Sequence, residues 1–226
     1  MSNPPIPSRL LLIDDLIMGE YHHLSEEDVC FHLWEYVKGG SFQEYPTNQL
    51  IKNLQIPMAE RANFRWNHKV NAIQYAASAL GSVLPSDFSK DWTWVPMPPS
   101  VVRGDPAHDP RLGWVLKIVK PAIADLRELV FQTETIQSKQ KGISPEERAR
   151  ILEINEEVAS PPPQRVIVFD DVIAGGSHFK AMKMVLQDRF PGLEVIAVFL
   201  TRTIRPQEPE LEIDFEKLRK QLLGGV

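Results

Sequence analysis

The sequence predicts an α/β protein: a parallel twisted sheet flanked by helices, with a mainly helical N-terminal extension. Three observations carry this. Val166-Ile167-Val168-Phe169 and Val195 to Leu200 are unbroken apolar runs rich in β-branched residues, as expected of parallel strands buried on both faces. Between them, Phe179, Met182, Val185 and Leu186 recur at helical spacing, so the segment reads as a βαβ unit with the usual right-handed crossover. Trp92 to Val95 is a further short strand that empties into a Pro-rich loop, Pro96-Met97-Pro98-Pro99-Ser100.

The remaining elements follow in chain order. Leu10 to Ile13 is short and apolar, a strand or a packing arm. Ser25 with Asp28 reads as an N-cap and acidic first turn, opening a helix to the Gly39-Gly40 stop with Val29, Leu33 and Val37 on one face. A brief helix is expected over Thr47 to Leu54, and Trp66, Val70, Ile73, Ala77 and Leu80 mark a longer amphipathic one. These place a helical region at 1–88 and the α/β domain at 89–226. Leu112 to Leu126 reads as helical but contains Pro121, which should kink or divide it, and Leu129 to Phe131 reads as a third strand. Residues 132–142 are polar and lack periodicity, so a mobile loop is expected. Ser144-Pro145-Glu146-Glu147 then supplies a capping serine, a proline at the first helical position and a reciprocal glutamate. Pro191-Gly192 ends the helix of the βαβ unit. Leu211, Ile213 and Phe215 alternate as a last strand, with a helical turn or two over Lys217 to Leu223.

Composition narrows the function classes. At 226 residues and 43 % hydrophobic, the chain can build one sizeable core with a smaller appended element. Its net charge of −5 lacks the electrostatic footprint of a nucleic-acid binder. The lone cysteine, Cys30, cannot close an internal disulfide, which suits a cytoplasmic protein. Leu10 to Met18 is interrupted by Asp14 and Asp15 and is too short to span a bilayer. His22, His23, Cys30 and His32 fit no standard zinc spacing.

The chemistry concentrates at 166–178. Asp170 and Asp171 follow the apolar run, and open α/β sheets place ligands at that end of their strands. Ala174-Gly175-Gly176-Ser177 is a small-residue turn, and His178 lies at the helix start beyond it. Backbone amides there can close on an anion, helped by the helix dipole, while the carboxylates take sugar hydroxyls or a hydrated cation. The pattern is neither a Walker loop nor a dinucleotide fingerprint. An acid pair at a strand end also occurs in metal-dependent receiver domains, and a Gly-Gly turn is also an ordinary tight connection. The loop after Val95 brings Arg103, His108, Asp109 and Arg111 to the same sheet edge, either a second anion site or a solvated connection.

The order of apolar run, acid pair and small loop resembles the phosphoribosyl pyrophosphate (PRPP) signature of type I phosphoribosyltransferases. The VPMP opening of the second loop and the stretch TIQSKQKGISPEERARI are similar to ComF-like members, close to the amidophosphoribosyltransferases. The resemblance implies a type I phosphoribosyltransferase-like fold, PRPP bound with Mg²⁺, transfer to an acceptor, and release of pyrophosphate. Asp170 and Asp171 would then support the ribose and its developing charge. Ala174, Gly175, Gly176, Ser177 and His178 would hold the 5′-phosphate. Arg103, His108, Arg111, Lys139 and Lys141 would meet the pyrophosphate, with Arg148 adding charge. The N-terminal region would serve as a hood over the acceptor or as the surface for a protein partner. Oligomeric state stays open, a homodimer among the options. The chain departs from the family in two ways. Ala174, Gly175 and His178 stand where Thr or Ser is usual; with His178 able to donate to the phosphate itself, the two remaining absent hydroxyls cost about 3–6 kcal/mol of phosphate binding. The N-terminal cysteine zinc module of ComF-like proteins is absent as well. These departures suit a second reading, a non-catalytic PRPP or nucleotide sensor controlling a partner, such as occurs in bacterial conflict and antiphage systems. A third is an interaction module that has kept the fold without the ligand.

Overall fold

A computed structural model of the chain describes residues 3–85, 88, 91–119, 122–136 and 143–205. Strand β7 (Arg165–Ile173) lies at its centre, parallel to β3 (Thr93–Pro96) on one side and to β8 (Glu194–Ile204) on the other. The six-stranded sheet continues outward in both directions. Beyond β8 come β2 (Cys30–Val37), parallel to it, and then β1 (Leu11–Leu12), the one antiparallel strand; beyond β3 comes β4 (Asp125–Leu126). Val166 to Phe169 are wholly buried and Ala197 to Leu200 nearly so, as two-faced apolar strands require.

Helices cover the sheet. The short α1 (Asp15–Met18) is capped by Asp14. Helix α2 (Pro46–Leu54) packs on β2 and on α3 (Trp66–Val83); α3 packs on α4 (Arg111–Val119), which lies against β3 and β7. After β7, α6 (Ser177–Arg189) leads into β8 and packs on α5 (Pro145–Ala149). The capping box at Ser144 is formed: its hydroxyl accepts from the Glu147 amide, and the Glu147 carboxylate accepts from the Ser144 amide. No helix among the described residues is long and apolar enough to cross a membrane.

Two expectations change. The segment expected as a helix from Ser25 to Gly39 forms only one turn before becoming β2. The Ser25 amide and hydroxyl do bond the Asp28 carboxylate, but Cys30 to Val37, which holds Phe31, Trp34 and Tyr36 and is buried at Cys30 and Val37, pairs in parallel along β8. Val29, Leu33 and Val37 are spaced by four, and a spacing of four places residues on one face of a strand as well as of a helix. Leu112 to Leu126 is divided, one of the two outcomes expected: α4 covers Arg111–Val119, and Asp125–Leu126 pairs with β3 as β4. Pro121 itself lies outside the described residues. The third strand, β5 (Val130–Gln132), is not in the main sheet but pairs antiparallel with β6 (Leu152–Ile154) as a separate ribbon. Much of the 132–142 loop, and the strand and helix expected after Pro209, lie outside the described residues.

The sheet also crosses the expected boundary at 88/89, because β1 and β2 precede it. Asp28 fastens this join: it is buried and bonded by Lys180 and, at 2.7 Å, by Lys183, both on α6. These partners outweigh burial and hold its carboxyl below the usual range.

Candidate functional site

The sheet is uneven at its carboxyl edge, and that unevenness makes the site. Pairing of β7 with β3 ends at Phe169 opposite Pro96, and one further bond joins the Met97 amide to the Phe169 carbonyl at 2.8 Å. Strand β7 runs on to Ile173 along β8 alone. Asp170 is therefore the first residue past the end of β3, where the chain turns away into the Pro96–Arg111 loop. A cavity of about 290 Å³ occupies the gap, near the lower end of the range for small-molecule sites. Asp170 and Asp171 meet there with Gln55, Arg103, His108, Asp109, Arg111, Glu128, Gln132 and His178, and Pro96, Met97, Pro98, Pro99, Val101 and Phe131 supply apolar wall.

The two carboxylates have different surroundings. Asp171 Oδ2 accepts from Arg111 Nε at 3.0 Å and Nη2 at 2.9 Å, and from Gln55 Nε2 at 2.9 Å. Burial alone would raise its pKa, but the Arg111 guanidinium outweighs burial and holds the carboxyl below the usual range. Asp170 Oδ1 accepts only the Asp171 amide, at 2.8 Å, and its Oδ2 lies 3.8 Å from His178 Nδ1. Burial, reinforced by the Asp171 charge, pushes Asp170 up toward its neutral form. One acid is a fixed counter-charge; the other has acceptor capacity left.

Behind Arg111 runs a buried chain of charge. Arg111 Nη1 donates to Asp109 Oδ2 at 3.1 Å, and the same oxygen accepts from Lys69 Nζ at 2.8 Å. Lys69 has no exposed surface; its ammonium also bonds the Leu54 and Ile56 carbonyls, at 2.7 and 2.9 Å, closing the end of α2. Burial lowers its pKa against the pull of Asp109. Across the cavity, Arg103 pairs with Glu128 at 3.1 Å, and His108 Nδ1 meets the Val101 carbonyl at 2.8 Å. Both arginines of the lining thus already hold carboxylates.

Of the residues singled out from sequence, Asp170, Asp171, His178, Arg103, His108 and Arg111 converge on this cavity. Ala174, Gly175, Gly176 and Ser177 do not line it. Instead the turn lies beneath the Tyr21–Leu24 segment: the His23 amide donates to the Gly175 carbonyl at 3.1 Å, and a Cβ on Gly176 would come within 2.8 Å of the Leu24 side chain. Gly176 also has φ +86°, a left-handed value that favours glycine. Lys139 and Lys141 lie outside the described residues. Sequence reasoning missed Gln55 and Lys69. Lys69 was findable: it falls three residues after Trp66 and four before Ile73, a lone cation on the apolar stripe of α3. Gln55 carries no such signal. Among the described residues, no three His, Cys, Asp or Glu side chains gather into a group that could hold a metal ion. Cys30 is fully buried in β2, and burial pushes its thiol far above its ordinary range.

Fold and cavity together define an α/β protein with a carboxylate-floored site at the carboxyl ends of parallel strands. No family model and no curated protein matches the chain. Among solved structures it is similar to a hypoxanthine phosphoribosyltransferase from Staphylococcus aureus in an orthorhombic crystal, at 16 % identity and TM-score 0.33 over 61 % of this chain and 75 % of that one. The tetragonal form of the same enzyme gives 16 % identity and TM-score 0.34 over 60 % and 74 %. Overlap this partial adds no argument about activity, which must come from the site.

Proposed function

We propose that the cavity binds a phosphorylated ribose of the PRPP type and that the chain is a phosphoribosyltransferase, of the ComF-like kind by its loop motifs. One observation carries the reading. The acid pair that resembles the PRPP signature stands on a parallel strand past the end of its neighbour, facing a cavity shared with the second, Arg- and His-bearing loop. Asp171 would act indirectly, since its Oδ2 already has three donors, and it would hold Arg111 and Gln55 in place. Asp170 would be the acid that accepts a ribose hydroxyl and faces the charge developing at the anomeric carbon. Mg²⁺ would arrive on the diphosphate, neutralising part of its charge, because the lining itself carries four carboxylates.

A second reading, a non-catalytic sensor of the same ligand class, is favoured by the cover over Gly176. The Leu24 side chain and the His23 amide occupy the approach to the turn, so a phosphate seated there must displace residues 21–24, and such displacement is a signal a partner could read. Calorimetry with PRPP and Mg²⁺ tests the shared claim: a saturable heat is expected, and its absence overturns both readings. Pyrophosphate release with a panel of nucleobases then separates transferase from sensor.

A further inference from the structure

Ahead of β1 lies a proline-rich arm, Asn3-Pro4-Pro5-Ile6-Pro7. Each proline fixes its own φ, and Asn3, Pro4 and Ile6, each followed by proline, are pushed to extended conformations as well. The segment accordingly forms no helix, strand or turn. A chain of this kind makes no hydrogen bonds within itself, so its carbonyls are left for donors elsewhere.

Two aromatic side chains supply those donors. Trp34 Nε1, from β2, donates to the Pro5 carbonyl at 2.7 Å, and the Tyr75 hydroxyl, from α3, donates to the Pro4 carbonyl. The two rings stack, with centroids 6.1 Å apart and planes 15° from parallel. Trp34 belongs to the buried core and Tyr75 packs against it, so the body of the protein holds both donors in place. Pro4 is buried between arm and body, whereas Pro5 and Ile6 are exposed. Among the described residues, residues 3–8 make no other hydrogen bond, so the arm is fastened by two contacts, both to main-chain carbonyls. Any extended proline pair can make the same two bonds. Aromatic-lined grooves recognise proline-rich segments in this way, because a chain that is already extended loses little entropy on docking.

We propose that Trp34 and Tyr75 form a docking site for a proline-rich segment of a partner protein, and that residues 3–7 are its built-in competitor. The occupant is an extended peptide with consecutive prolines, which presents two successive carbonyls to the indole N–H and the phenol O–H. The arm displays the binding mode. Being tethered, it also sets an effective concentration on the order of millimolar that a partner must overcome. None of these residues lines the main cavity, so the proposal stands independently of the phosphorylated-ribose reading.

The test titrates a fluorescein-labelled peptide, Asn-Pro-Pro-Ile-Pro-Ser, into the full chain and follows its anisotropy. A double variant, Pro4→Gly with Pro5→Gly, loosens the chain's own arm and should bind the peptide about tenfold more tightly than wild type does. A second peptide with alanine at all three proline positions should bind the double variant about tenfold more weakly, since it must be ordered on docking. In the same background, Tyr75→Phe keeps the ring and removes the donor, and should weaken binding about twofold to tenfold. Circular dichroism melts show that each variant is folded when it is measured. No saturable binding to the folded double variant overturns the site, as does equal affinity for the two peptides. Equal affinity in wild type and double variant overturns the arm's role as competitor. Sedimentation velocity tests the rival occupant: a wild-type dimer that Tyr75→Phe dissociates gives the groove to the arm of a second copy and overturns the assignment to a partner.

Discussion

Asp170 and Asp171 are adjacent in sequence yet opposite in their effect on stability. Asp171 is an ionised partner of Arg111, with a folded pKa below the unfolded value of about 3.9. Its contribution is therefore present above that pH and is lost as pH falls through the folded value. Asp170 has a raised folded pKa, so its contribution is complete below about pH 3.9 and is lost as pH rises through the folded value. At neutral pH the first carboxylate stabilises and the second destabilises. Asp171→Asn should cost about 3 kcal/mol, the effect of stripping one member from a buried pair. Asp170→Asn should instead raise the melting temperature by a few degrees at pH 7 and flatten the loss of stability above pH 4. Urea titrations over a pH series check both, and destabilisation by both variants would refute the division of roles. No sequence rule separates two neighbouring aspartates in this way, because the difference comes from Arg111 and Gln55, which arrive from distant parts of the chain.

Among elements, the turn between β7 and α6 couples the N-terminal segment to the site. Gly176→Ala introduces a Cβ into a left-handed conformation, at about 1–2 kcal/mol, and sets it against Leu24. Leu24→Ala should relieve the second part of that penalty and leave the first. A double-mutant cycle should therefore show positive coupling between the two sites, and simple additivity in thermal melts would mean that Leu24 does not rest on the turn. The elements most legible in sequence were those with long unbroken patterns. Strand β7, strand β8, helix α3 and the Ser144 capping box follow from local periodicity and hydrogen-bonding chemistry. Strand β2 was misread because Ser25 and Asp28 do form a local turn, while the neighbours that make Cys30 to Val37 a strand, Ala197 to Ile204, lie more than 150 residues away. The short strands β4 and β6 have too few residues to show any period.

At the scale of the molecule, β2 ties an early segment of the chain to β8, the last described strand. It pairs along β8, leaving β1 at the sheet's rim, and α2 packs on its surface while Gln55, just beyond α2, reaches Asp171. A fragment beginning at residue 89 would expose the edge of β8 and its apolar side chains and would lose the Lys69 and Gln55 side of the site. It should give the poorly dispersed amide spectrum of an unfolded chain, whereas the full chain should be well dispersed. By itself the sequence determined the α/β class, the parallel core strand with its acid pair, and the small-residue turn with its helix, because strand runs, caps and turns are governed by forces between near neighbours. Only the tertiary structure decided which aspartate is raised above its ordinary pKa and which is held below it, and that Leu24 covers the turn. Those outcomes depend on burial and charge contributed by residues far apart along the chain, and neither burial nor net local charge exists until the sheet has brought them together.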